Sequence, residues 1–263
     1  MTGAGPPRPR RSPPGGVRGF LTEHAERSAV NEPISTGCET VDSLLGGGVE
    51  RGVVTQLYGP PAAGKTNLAL SASVQAAAAG GKTLYIDTEG ISVDRFEALA
   101  RAAADGDDID TIAGRVIVSD ALDFEEQKEA VRDAGDLAES VDLIVLDSAT
   151  GFYRLERDDE DDGETLRDVA KQVTQLLAFA RRHDLAVLIT NQVYTDPEAG
   201  SSRARALGGH TLTHWSGVVL RLERFRGGNR RATLEKHGSK AAGETARFRI
   251  TDDGLEGVEE DAV

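Results

Sequence analysis

The run Gly59-Pro60-Pro61-Ala62-Ala63-Gly64-Lys65-Thr66 has the spacing G-x-x-x-x-G-K-[ST], and few sequence features restrict a fold so tightly. Val53 to Tyr58 ahead of it is an apolar run of strand character, and Asn67 to Ala79 behind it is rich in Ala and Leu, as a helix requires. A strand, a loop of small residues and a helix N-terminus turn successive backbone N–H groups toward an anion, with the helix dipole aimed at the same point. The spacing therefore predicts a phosphate cradle built from Gly59, Pro60, Pro61, Ala62, Ala63, Gly64, Lys65, Thr66 and Asn67. Lys65 is placed to reach β- and γ-phosphates, and Thr66 to set its hydroxyl on a metal ion, so the predicted ligands are ATP and Mg²⁺.

Composition narrows the setting. A lone cysteine, Cys38, excludes a disulfide framework and a zinc site made of several thiolates, and none of the five His has metal-ligand spacing. No apolar run is long enough to cross a bilayer and no signal-peptide core is visible, which predicts a soluble, cytoplasmic protein without a membrane role. The excess of 44 acidic over 30 basic residues gives a net charge of −14, which by itself argues against a polyanionic partner. The basic residues are mostly Arg, aromatics are 5%, and acidic residues are spread along the whole chain, a balance that also suits a halophile. In concentrated salt the screening length is about 3 Å or less, so net charge says little about nucleic-acid binding.

Residues 1–33 interleave Pro6, Pro7, Pro9, Pro13 and Pro14 with Arg8, Arg10, Arg11 and Arg18 and are expected to be a disordered extension. A basic tail could hold a nucleic acid or a partner, and it could equally be inert. Residues 34–263 are expected to form one α/β domain. Strands are predicted at Val53–Tyr58, Thr83–Asp87, Arg115–Val118, Leu143–Asp147 and Ala186–Thr190, with helices at Asn67–Ala79, Val93–Ala104, Phe124–Glu139 and Thr165–His183. This alternation implies a mostly parallel sheet covered by helices on both faces. Val218–Glu223, Gly227-Gly228-Asn229 and Arg231–Glu235 read as a hairpin, and Thr245–Ile250 as one more strand, so the C-terminal strands should be antiparallel.

Ligands of open α/β sheets sit beyond the carboxyl ends of the strands. Three apolar strands end in polar groups. Asp147 closes Leu143-Ile144-Val145-Leu146 and is a candidate Mg²⁺ carboxylate, while Glu89, just past Leu84-Tyr85-Ile86-Asp87, is a candidate for orienting and deprotonating water. Gln192, after Thr190-Asn191, could sense a γ-phosphate by hydrogen bonding, and Asp87 is better suited to supporting the site than to chemistry.

Ile34-Ser35-Thr36-Gly37, Val41 to Gly48, Tyr85 to Gly90 and Thr190-Asn191-Gln192-Val193 together resemble the RecA/RadA recombinase family from about Ile34 to Val258, and within it an archaeal paralogue of the main recombinase. The resemblance implies a RecA-like P-loop ATPase core that binds ATP, hydrolyses it weakly, binds DNA in recombination and repair, and assists the main archaeal recombinase without exchanging strands itself. It also implies a nucleotide site lying against a neighbouring subunit, hence a homo-oligomer. By the same resemblance Glu89 matches the catalytic carboxylate, with Lys65 and Gln192 beside it. Gln192 links γ-phosphate to the second DNA-binding loop, and Arg95 falls where a guanidinium stacks on adenine. Tyr194 to His210, with Arg203 and Arg205, occupies the place of that loop.

The chain departs from the family in lacking a helical DNA-binding domain ahead of the core and a Phe-x-x-Ala motif. It also carries an acidic run, Glu156 to Asp162, where the first DNA-binding loop belongs. Arg221, Arg224, Arg226, Arg230 and Arg231 cluster on the predicted hairpin. If they share one face they form a footprint for backbone phosphates, and otherwise they protect an exposed edge. Gly46-Gly47-Gly48 with the phosphate loop also occurs in KaiC-like regulatory ATPases, which leaves a nucleotide-driven module without a DNA role as the alternative.

Overall fold

A computed structural model describes residues 32–104, 108–152, 162–194, 205–207 and 209–258, of which 162–164, 194, 205–206, 210 and 226 are described by backbone alone. The chain divides between Glu32 and Pro33, and every element below belongs to the unit from Pro33 onward. The strands are β1 (Val54–Tyr58), β2 (Thr83–Asp87), β3 (Val116–Asp120), β4 (Leu143–Asp147), β5 (Ala186–Asn191), β6 (Val193–Tyr194), β7 (Arg205–Ala206), β8 (Val218–Arg224), β9 (Asn229–Lys236), β10 (Thr245–Ile250) and β11 (Leu255–Val258). The helices are α1 (Glu39–Leu45), α2 (Lys65–Ala78), α3 (Val93–Ala103), α4 (Ile109–Ala113), α5 (Phe124–Leu137), α6 (Asp162–His183) and α7 (Gly209–Trp215).

Among the described residues one nine-stranded sheet runs β11-β10-β9-β8-β1-β5-β4-β2-β3, and β6 pairs with β7 in a short separate ribbon. From β8 to β3 the pairings are parallel, and from β8 to β11 they are antiparallel. The mostly parallel sheet and antiparallel C-terminal strands expected from the sequence are thus present.

Strands β1, β2, β4 and β5 are buried at every residue, the pattern of a sheet covered on both faces. Because side chains alternate along a strand, Tyr85, Val145 and Leu188 face a core shared with α1, α2, α3 and α4. Ile86, Leu146 and Ile189 face the opposite core, shared with α5, α6 and α7. Strand β3 is the exception: it lies at the sheet edge, and Ile117 and Val118 stay partly exposed there. No described helix is long and apolar enough to cross a membrane.

Register does the positioning. Asp87 on β2 is paired with Asp147 on β4, and Tyr58 on β1 with Asn191 on β5, so the polar strand ends line up along one rim of the sheet. Short elements escaped the periodicity reading. Helix α1 has only 7 residues and is ended by Gly46 in the left-handed region (φ 85°), while α4, α7 and β11 are also too brief to show a period.

Candidate nucleotide-binding site

The phosphate loop sits between β1 and α2 as the motif requires. Gly64 takes φ 102° and Ala62 φ 60°, which turns the chain back on itself before α2 begins. Gly59 is needed for a different reason: a Cβ there would lie 2.3 Å from the carbonyl oxygen of Leu222 on β8. The Lys65 side chain is buried, and its Nζ donates to the carbonyls of Gly59 (3.0 Å) and Pro60 (3.2 Å). Burial pushes its pKa down, opposed by the negative charges of Glu89 and Asp147.

Asp147 is almost wholly buried at the tip of β4. It accepts hydrogen bonds from Tyr85 Oη (2.7 Å), from Thr190 Oγ1 and from the Thr66 hydroxyl. Burial pushes the carboxyl pKa up, and the hydrogen bonds from Thr190, Tyr85 and Thr66 work against that shift. Tyr85 is itself pushed well up by burial and by the Asp147 charge, so it stays a phenol and a donor. Thr66 and Asp147 are therefore adjacent, and together they offer hard oxygen ligands of the kind Mg²⁺ takes.

Glu89 and Gln192, 103 residues apart in sequence, meet: Gln192 Nε2 donates to Glu89 Oε1 at 3.0 Å. They close a cavity of about 180 Å³ that is also lined by Pro61, Ala62, Gly64, Lys65, Thr66 and Asn67. Asp87 accepts from the backbone N–H groups of Glu89 (3.1 Å), Gly90 (2.9 Å) and Ile91 (2.6 Å), and so shapes the loop that carries Glu89. Asn191 is buried, accepts from Thr150 Oγ1 (2.7 Å) and donates to the Leu207 carbonyl (2.8 Å), which ties the end of β5 to the chain re-entering after the β6–β7 ribbon.

Arg95 lies at the far side of the loop. Its Nε donates to Asn67 Oδ1 (2.8 Å), and its terminal nitrogens donate to the carbonyls of Thr251 (2.7 Å), Asp252 (2.9 Å) and Gly254 (2.9 Å). Arg95 thus clamps the β10–β11 turn to the residue that follows the phosphate-loop threonine.

The hairpin arginines do not share one face. Arg231 pairs with Glu223 (2.9 Å) and lies 4.8 Å from the centre of the Phe225 ring, and Arg221 pairs with Glu223 and Glu235, each at 3.0 Å. Arg230, next in line to Arg231, points to the opposite face, because β9 alternates, and rests against the phosphate loop. Arg224 is exposed at the end of β8. Arg203 and the acidic residues Glu156 to Asp161 lie outside the described residues, as do the side chains of Arg205, Arg226 and Asp162.

Four structural roles, two of them at Asp147, went unnoticed in the sequence. Thr190 and Tyr85 hold Asp147 from two neighbouring strands, and a hydroxyl at a strand end beside a buried carboxylate was the available signal. Asp42 accepts from Thr36 N (2.7 Å), Thr36 Oγ1 (2.6 Å) and Ser35 Oγ (2.6 Å), which gives the Ser35-Thr36 and Val41-Asp42 motifs a shared structural job. Arg230 at the loop had no such signal.

The sequence profile described as Rad51 matches residues 26–258. The chain belongs to the Rad51 family. This Rad51-family chain is 61% identical over 229 residues to the DNA repair and recombination protein RadB of Halobacterium salinarum, covering 87% of this chain and 96% of that one. It is 41% identical over 228 residues to the protein of the same name from Methanococcoides burtonii, covering 86% and 98%. Among solved structures, one described as the crystal structure of the RadB recombinase matches with a TM-score of 0.73 at 36% identity, covering 86% of this chain and 100% of that one. The Rad51 membership and the sheet order agree with the RecA-like core expected from the motifs.

Proposed function

We propose that this chain is an ATP-binding paralogue in homologous recombination and DNA repair, which binds DNA without sequence preference and assists a main recombinase in the cytoplasm. The observation that carries the nucleotide part is the meeting of Glu89 and Gln192 over the cavity that holds Lys65 and Thr66. The recombination part rests on the Rad51 family and its RadB relatives, which favour it over a KaiC-like regulatory role.

When bound, Mg²⁺ supplies positive charge that offsets the charge of the β- and γ-phosphates. Thr66 and Asp147 would hold it. Lys65, which rests on two loop carbonyls, exchanges them for phosphate oxygens, a stronger charge-assisted contact. Glu89 orients and deprotonates the attacking water, and Gln192, released from Glu89, reports the γ-phosphate to the segment beyond Val193. Hydrolysis by a lone subunit would be slow, because in the resembled family the site is completed by residues of a neighbouring subunit. DNA contacts come from Arg203 and Arg205 in that segment and from the exposed Arg224.

The test is a calorimetric titration with MgATP, followed by recovery of the organism's main recombinase on the immobilised protein with and without ATP. Heat on titration and ATP-dependent recovery are expected. A flat titration removes the nucleotide site, and failure to recover the recombinase in either condition removes the assisting role.

A further inference from the structure

We infer that Arg230 is a nucleotide ligand, closing its Nε–H over the phosphates held at Gly64, and is not part of a DNA footprint. The inference rests on the ATP reading above. Strand alternation puts Arg230 on the same face of β9 as the fully buried Ala232 and Leu234, the face turned to the core that contains α1 and α2. There its stem lies across the phosphate loop. A Cβ on Gly64 would be 3.1 Å from Arg230 Cδ, 3.3 Å from its Nε and 3.3 Å from Ile250 Cδ1. Gly64 is the residue that N-caps α2 immediately before Lys65.

The polar end is incompletely satisfied. One terminal nitrogen donates to the Gly228 carbonyl (2.6 Å), but Nε is buried and has no hydrogen-bond partner. Among the described residues no carboxylate pairs with this guanidinium, whereas Arg221 and Arg231 on the other face both have one. Burial and then the like charge of Arg224 lower the Arg230 pKa, the reverse of what an anion nearby would do. A buried donor on a cation without an anion is an arrangement that costs stability until an acceptor arrives. Backbone N–H groups of this loop type gather α- and β-phosphates, and those oxygens are the acceptor nearest to hand. The contact would then be common to ADP and ATP, unlike the Glu89–Gln192 pair, which faces the γ-position.

The experiment titrates MgADP and MgATP calorimetrically into the full chain, into R230M, which keeps an unbranched stem over Gly64 without a donor, and into R230K, which keeps the charge but has no N–H at the Nε position. R230M is expected to weaken both nucleotides by the same factor, about 10- to 100-fold for a hydrogen bond to a charged group, with R230K between it and the wild type. Its melting temperature without nucleotide should not fall, and its DNA affinity at fixed salt and saturating nucleotide should match the wild type. Wild-type affinity of R230M for both nucleotides overturns the inference, as does loss of DNA binding with nucleotide binding intact. If R230M does not fold, wild-type affinity of R230K for both nucleotides overturns it instead. A wild type that binds neither nucleotide brings down the ATP reading and this inference together, whereas wild-type binding with unaffected variants removes only Arg230.

Discussion

Two of the site carboxylates are supported in opposite ways, and their mutants should part accordingly. Glu89 accepts from the amide of Gln192 at its Oε1, a contact that a neutral amide can keep, so Glu89→Gln is expected to fold and bind MgATP normally while turnover drops by at least about 100-fold, the usual worth of a general base. Phosphate release under saturating ATP checks this, and undiminished release would pass the role to another group. Asp147 is buried beneath Tyr85 and Thr190. Tyr85→Phe removes one donor from a buried carboxylate and should cost about 1–3 kcal/mol of stability, read from chemical denaturation. An unchanged midpoint would mean that water takes the place of the hydroxyl. Lys65, Thr66 and Asp147 could be read from sequence because their chemistry fixes both residue type and spacing. Arg230 could not, because an Arg-Arg pair in a strand does not say which of its two members turns inward.

At the level of elements, β8 and the phosphate loop are packed backbone to backbone at Gly59 and Leu222. Gly59→Ala has no side chain to displace and must move the loop or the strand, at a cost of about 1–3 kcal/mol, together with a loss of nucleotide affinity. Thermal melting with and without MgATP measures both, and a variant stabilised by nucleotide as fully as the wild type would show that the loop accommodates the methyl group. The four central strands were legible because burial on both faces demands continuous apolar runs between four helices long enough to show a period. Helix α1 gives no such run: it is held by Asp42 accepting from Ser35 and Thr36 and stopped by Gly46, local devices that leave no periodic trace. Strand β3 starts with its apolar run at Val116, one residue later than predicted, and extends past that run to Asp120, since an edge strand is bounded by its pairing with β2 and not by burial.

For the whole molecule, a net charge of −14 sets the solution behaviour. Raising KCl from about 0.1 M to about 1 M shortens the screening length from about 10 Å to about 3 Å and should raise the melting temperature by relieving self-repulsion. A melting temperature that falls with salt would show that paired surface charges outweigh that repulsion. The sheet order also explains why the distant C-terminal strands matter to the loop: β8 adjoins β1 directly, and β9 and β10 follow it. Arg95 extends that link by gripping three carbonyls of the β10–β11 turn and Asn67 at once. A fluorophore attached at the exposed Asp253, between two of the gripped carbonyls, would therefore brighten or dim as the cradle fills, giving an optical gauge of occupancy that leaves every phosphate contact untouched.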